Sequence, residues 1–175
     1  MHYEQLRTDK GEYIKGPYII KPKILKDDRG YFLETWNKFT FSKFINEEVN
    51  FIQENSLFSN LGVLRGLHYQ KQPMSQGKLL QVFRGSIFDV IVDLRKDSKT
   101  FSNYSSVFLN SNDEYLLWIP KGFAHGFLSM ENNTKVIYKV TNHWNKEYEK
   151  SIIWNDQELN ISWPLKKIAI DYPIL

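Results

Sequence analysis

Apolar and aromatic positions along this chain fall in short runs separated by turn-forming residues, and most runs alternate inside and outside with a period of two. The pattern predicts strands at Tyr18–Lys21, Tyr31–Trp36, Val49–Ser56, Val63–Gln70, Lys78–Phe83, Ser86–Leu94, Tyr104–Leu109, Tyr115–Ile119, Phe127–Met130 and Lys135–Thr141. Only Thr40–Asn46 has helical spacing, with Phe41, Phe44 and Ile45 on one side. Many short strands with one small helix predict a sandwich or barrel rather than βαβ units. Such closure also removes exposed sheet edges. Within Ile87–Leu94, Phe88, Val90, Val92 and Leu94 share one face, and Asp89 and Asp93 share the other with Ile87 and Ile91. That second face is either solvent or a polar barrel interior. In Val63–Gln70, His68 and Gln70 share a face and Arg65 falls opposite if the strand is regular; a bulge at Gly66 would re-aim one of them.

The chain of 175 residues is read as one domain, 1–175, with no internal repeat or linker, and it is long enough to bury a real core. Its 5 Trp, 10 Tyr and 12 Phe reinforce the β reading. With 0 Cys, disulfides and thiolate metal sites are excluded. The formal charge of +3 is mild and the basic residues are interleaved with acidic ones, so nucleic acid is not an expected partner. No apolar leader or membrane-length run is present in the sequence, and a soluble cytoplasmic protein is expected.

The chemistry concentrates in Gly62–Gly85. Gly62, five residues and His68 are followed by Gln70, and Lys78 stands six residues before Gly85. Later comes Pro120-Lys121-Gly122-Phe123-Ala124-His125. This layout resembles the G-x5-H-x-H, E-x6-G and P-x-G-x-x-H metal motif of cupin β-barrels, with the second histidine and the acidic ligand replaced. A lysine ammonium offers no lone pair and repels a divalent ion, so no metal or other cofactor is expected. Two histidines and a lysine around one cavity suit acid–base chemistry on an anionic intermediate.

The landmarks DDRGYFLETWN (27–37), FIQENS (51–56), GVLRGLHYQ (62–70), QGKLLQV (76–82), LWIPKGFAHGFLSM (117–130) and IYKVTNHW (137–144) are similar to those of the dTDP-4-dehydrorhamnose 3,5-epimerase family. The resemblance runs from about Pro17 to Pro164. It implies an all-β, double-stranded β-helix (cupin jelly-roll) barrel with a few short helices. It also implies an isomerase that inverts the carbons flanking the ketone of dTDP-4-keto-6-deoxyglucose through an enolate. On this resemblance His68 is the general base, Tyr138 the proton donor on the opposite face, and Lys78 the cation near the ketone oxygen. Substrate contacts fall to Arg29, Glu34, Gln53, Asn55, Arg65 (diphosphate), His125, Glu149, Trp144 (stacked on thymine) and, less directly, Asp89 at the pocket floor. A homodimer is implied as well, with the region around Tyr13–Ile24 pairing across the interface.

One departure concerns the aspartate that orients the family's base, which lies in a C-terminal P-x-L-S-x-K-D segment. Here either Pro173-Ile174-Leu175 begins that motif or Asp171 has taken the role, and the first register fits better. The runner-up functions are a single-centre epimerase on a related 4-keto sugar nucleotide and a non-catalytic sugar-binding cupin. A metal-dependent oxygenase is opposed by Gln70 and Lys78.

Overall fold

The computed structural model describes residues 1–175. One sheet has the strand order β1 (His2–Arg7), β2 (Tyr13–Lys21), β10 (Leu116–Ile119), β7 (Lys78–Arg84), β12 (Thr134–Val140) and β5 (Gln53–Ser59). A second has the order β13 (Glu149–Ser151), β6 (Leu64–Gln70), β11 (Phe123–Ser129), β8 (Ser86–Asp93) and β9 (Tyr104–Asn110). The strands β3 (Ile24–Asp27) and β4 (Gly30–Leu33) form a separate hairpin. Apart from the hairpin pairs β1–β2 and β8–β9, neighbouring strands of the two large sheets are far apart in sequence, as in a jelly roll, and every paired strand is antiparallel to its neighbour.

Three apolar layers follow from the alternation. Between the sheets lie Ile14, Leu80, Ile87, Ile91, Leu117 and Phe127, all buried. The outward face of the second sheet, with Phe88, Val90 and Val92, is covered by the C-terminal segment through Trp154, Trp163 and Leu165. The outward face of the first sheet is covered by α1 (Lys38–Ile45), whose Phe41 packs on Leu79, Leu116 and Trp118. Asn37 caps that helix by accepting the Thr40 N–H, and Asn46 ends it in the left-handed region at φ 55°. Asp89 and Asp93 therefore face the barrel interior and not solvent, and both are fully buried. Asp93 accepts hydrogen bonds from the Arg95 backbone and guanidinium, Ser98 and Thr100, which seals the barrel at that end.

The predicted strands are all found, with shifted ends, and the helix begins two residues before the expected start. β1, β3 and β13 were not expected. They are short or polar edge strands, of which β1 buries only Leu6, so they carry little hydrophobic signal. β11 starts at Phe123 and not Phe127, which places His125 within a strand.

Candidate active site

A cavity of about 590 Å³ opens between the two sheets. The first sheet contributes Lys78 and Leu80 from β7, Tyr138 from β12 and Leu57 from β5; the second contributes Arg65 and His68 from β6 and His125 and Phe127 from β11. Arg65 and His68 are three apart, which a regular strand would send to opposite faces. The pairing of β6 with β11 resolves this: His125 opposes His68 and Phe127 opposes Arg65, so three steps on β6 match two on β11. Gly66 sits in the resulting bulge with φ +117°. A Cβ there would lie 2.5 Å from the Gly126 Cα and 2.6 Å from the His125 carbonyl oxygen, so only glycine fits.

Burial sets the protonation states. It holds the His68 imidazole below its ordinary value, against the Glu149 carboxylate and together with the Lys78 and His125 charges, so at neutral pH His68 is a free base. Burial lowers the Lys78 ammonium to about 8, with Asp89 and Glu149 opposing the shift, and it remains charged near pH 7. Burial also raises the Tyr138 phenol above its ordinary value, against Asn55 and Arg65, and keeps its proton in place. Behind His125, Asp89 meets Nε2 at 2.8 Å, and burial raises its carboxyl against the opposing effects of His125 and Lys78. Arg65 is steadied by the Ser59 hydroxyl at 3.0 Å and the Phe58 carbonyl at 3.1 Å, so its guanidinium borders the cavity in a fixed pose.

A family model described as dTDP-4-dehydrorhamnose 3,5-epimerase matches residues 12–172. The chain belongs to this family. It is 43% identical over 148 residues to the dTDP-4-dehydrorhamnose 3,5-epimerase of Shigella flexneri, an alignment covering 85% of this chain and 82% of that one. Among solved structures it resembles a dTDP-6-deoxy-D-glucose-3,5-epimerase of Legionella pneumophila in complex with dTDP-4-keto-L-rhamnose. The TM-score is 0.84, with 40% identity over 93% of this chain and 84% of that one. It also resembles a 3'-monoepimerase of Streptomyces bikiniensis in complex with dTDP-quinovose, with TM-score 0.84, 29% identity, and coverage of 93% and 80%.

Of the residues that the epimerase resemblance singles out, Arg65, His68, Lys78, His125 and Tyr138 line the one cavity. Asn55 opposes Tyr138 across β5 and β12, and the Gln53 amide donates to Asn55 Oδ1 at 2.8 Å. Glu149 opposes Gln70 across β13 and β6. Asp89 lies beneath the cavity and not in its wall. Arg29 is exposed on the β3–β4 hairpin, paired with Asp27 at 2.6 Å, and Glu34 accepts from the Asn37 amide; neither lines the cavity of its own chain. Trp144 is exposed and does not line the cavity.

Sequence reasoning missed the wall formed by Ser151–Trp154 and Leu175. Ser151 opposes His68, and Ile174 runs parallel to β6 through a bridge to Val63. The apolar run Ile152-Ile153-Trp154 was the available signal. Asp171 is exposed and lies outside the cavity wall, and the carboxylate that His68 feels is Glu149. The donor set does not fit a metal: Gln70 turns its amide to loop backbone, and no three His, Asp or Glu converge.

Proposed function

We propose that this protein inverts both carbons flanking the ketone of dTDP-4-keto-6-deoxy-D-glucose and so makes dTDP-4-keto-L-rhamnose. The observation that carries this reading is that His68 and Tyr138 stand on opposing sheets and face one cavity. Inversion needs that arrangement: a base removes a proton from one face of a carbon and an acid returns one to the other. His68 takes the proton beside the ketone, and the electron pair passes into the C=O as an enolate. The Lys78 ammonium stabilises the charge on that oxygen. Tyr138 then gives its proton to the carbon from the far side, leaving a phenolate. Exchange with solvent returns His68 and Tyr138 to their starting states for the second centre. Arg65 holds the diphosphate, because a guanidinium fork matches phosphate oxygens. His125 bonds the sugar, and Trp144 stacks on the thymine.

The reading extends to a cytoplasmic homodimer. Arg29 and Glu34 are substrate contacts in the resemblance yet lie outside their own cavity, and a second copy bringing its β3–β4 hairpin to the mouth would supply them. The test of the activity is deuterium uptake from heavy water into dTDP-4-keto-6-deoxyglucose, followed by NMR and mass. Label at both flanking carbons supports the proposal. Label at one carbon moves the protein to the single-centre reading, which the fold it shares with the 3'-monoepimerase favours as runner-up. Binding without label leaves a non-catalytic sugar-binding cupin.

A further inference from the structure

Gln70 occupies the place of the missing second histidine, and its side chain is fully committed elsewhere. It ends β6 and is buried. Its Nε2 donates to the carbonyls of Met74 at 2.6 Å and His143 at 2.9 Å, and its Oε1 accepts the Asn145 N–H at 2.5 Å. Two of these three bonds fall on the residues immediately before and after Trp144. Elsewhere in the loop, Asn145 Oδ1 accepts the Glu147 N–H and the Asn145 carbonyl accepts those of Tyr148 and Glu149, while the barrel side reaches it through the Lys71 N–H on the Tyr148 carbonyl and the Gln76 amide on the Asn142 carbonyl. Gln70 alone reaches from the barrel to both flanks of the indole.

The chemistry of the residue explains the choice. A primary amide has two N–H donors and a carbonyl acceptor, and all three functions are used. A neutral imidazole has one donor and one acceptor, so a histidine here would leave a buried backbone group unpaired. The exposed Trp144 has no aromatic partner of its own to hold it. Its orientation therefore depends on the backbone that carries it.

We propose that Gln70 is a positioning residue for nucleotide recognition: it clasps residues 143 and 145 so that Trp144 is preset as a stacking platform. This rests on the proposed role of Trp144 against the thymine base, and it makes the vacated metal-ligand position part of the nucleotide site.

The test is a double-mutant cycle read by calorimetry with dTDP alone, using Gln70→Met, Trp144→Ala and the double variant. Trp144→Ala is expected to weaken dTDP binding about tenfold or more, as loss of one base–aromatic stack does. Gln70→Met is expected to weaken it about tenfold, and to add little to the loss in the Trp144→Ala background. In turnover the Gln70→Met loss falls on KM and not on kcat. If Gln70→Met does not fold, Gln70→His keeps one donor and one acceptor and enters the same cycle. Unchanged dTDP affinity in the Gln70 variant overturns the proposal, and so does an equal loss with and without Trp144. Because dTDP needs no turnover, a wild-type protein that binds dTDP but inverts no sugar refutes the epimerase reading and leaves the clasp standing.

Discussion

At the scale of single residues, the cavity holds a neutral imidazole and a protonated phenol on opposing walls. His68 is kept neutral by burial and Tyr138 is kept protonated by the same burial, so each holds the state that the proposed base and acid roles require. Replacing His68 with Ala is expected to lower kcat by about 10²–10⁴, the range a positioned base contributes, with dTDP-sugar affinity within about tenfold. Steady-state rates beside equilibrium binding check this, and an undiminished kcat would remove His68 from the base role. For Tyr138→Phe, solvent exchange into the sugar is expected to outlast net inversion, because abstraction survives and delivery from the far face does not. Parallel loss of both in a deuterium time course would contradict the donor role. That His68 and Lys78 share one cavity was legible through the cupin-like spacing around them, whereas Tyr138 was reached only through the family resemblance. The new task of Gln70 was not, because it depends on a loop more than seventy positions away, and spacing carries no information about such contacts.

At the scale of elements, β6 does what alternation alone forbids. Period two puts Arg65 and His68 on opposite faces, and the bulge at Gly66 returns both to the cavity. The bulge at Gly66 was legible, but the reason only glycine fits was not, since that constraint comes from the backbone of Gly126 on β11. Gly66→Ala is expected to cost about 2–4 kcal/mol in chemical denaturation, through positive-φ strain and the backbone clash together, and to abolish turnover in the folded fraction. A variant with wild-type stability and rate would show that β6 can reach its register without the bulge. His125 illustrates the converse error. Its Pro- and Gly-rich surroundings suggest a turn, yet the β8 pairing continues through Phe123, so tertiary pairing overrides local composition.

At the scale of the whole molecule, a sandwich or barrel was legible from strand periodicity, and the jelly-roll form from the family resemblance. The edge strands and the wall behind Ser151 were not, being short segments held by pairing and not by hydrophobic pattern. The hairpin bearing Arg29 and Glu34 raises the question of assembly. Sedimentation is expected to show a dimer, and Arg29→Ala is expected to raise KM about tenfold with kcat within about twofold and an unchanged melting temperature. A monomer that turns over normally would contradict the shared site. The last consequence concerns thickness. The proposed base and acid belong to different sheets, so the gap between them is set by Ile87, Ile91 and Leu117, buried hydrocarbon outside the cavity wall. Thinning that layer would leave proton removal working while return from the far side failed. Sugars would then leave labelled yet with their original handedness, which makes stereochemical fidelity a property of the filling between the sheets.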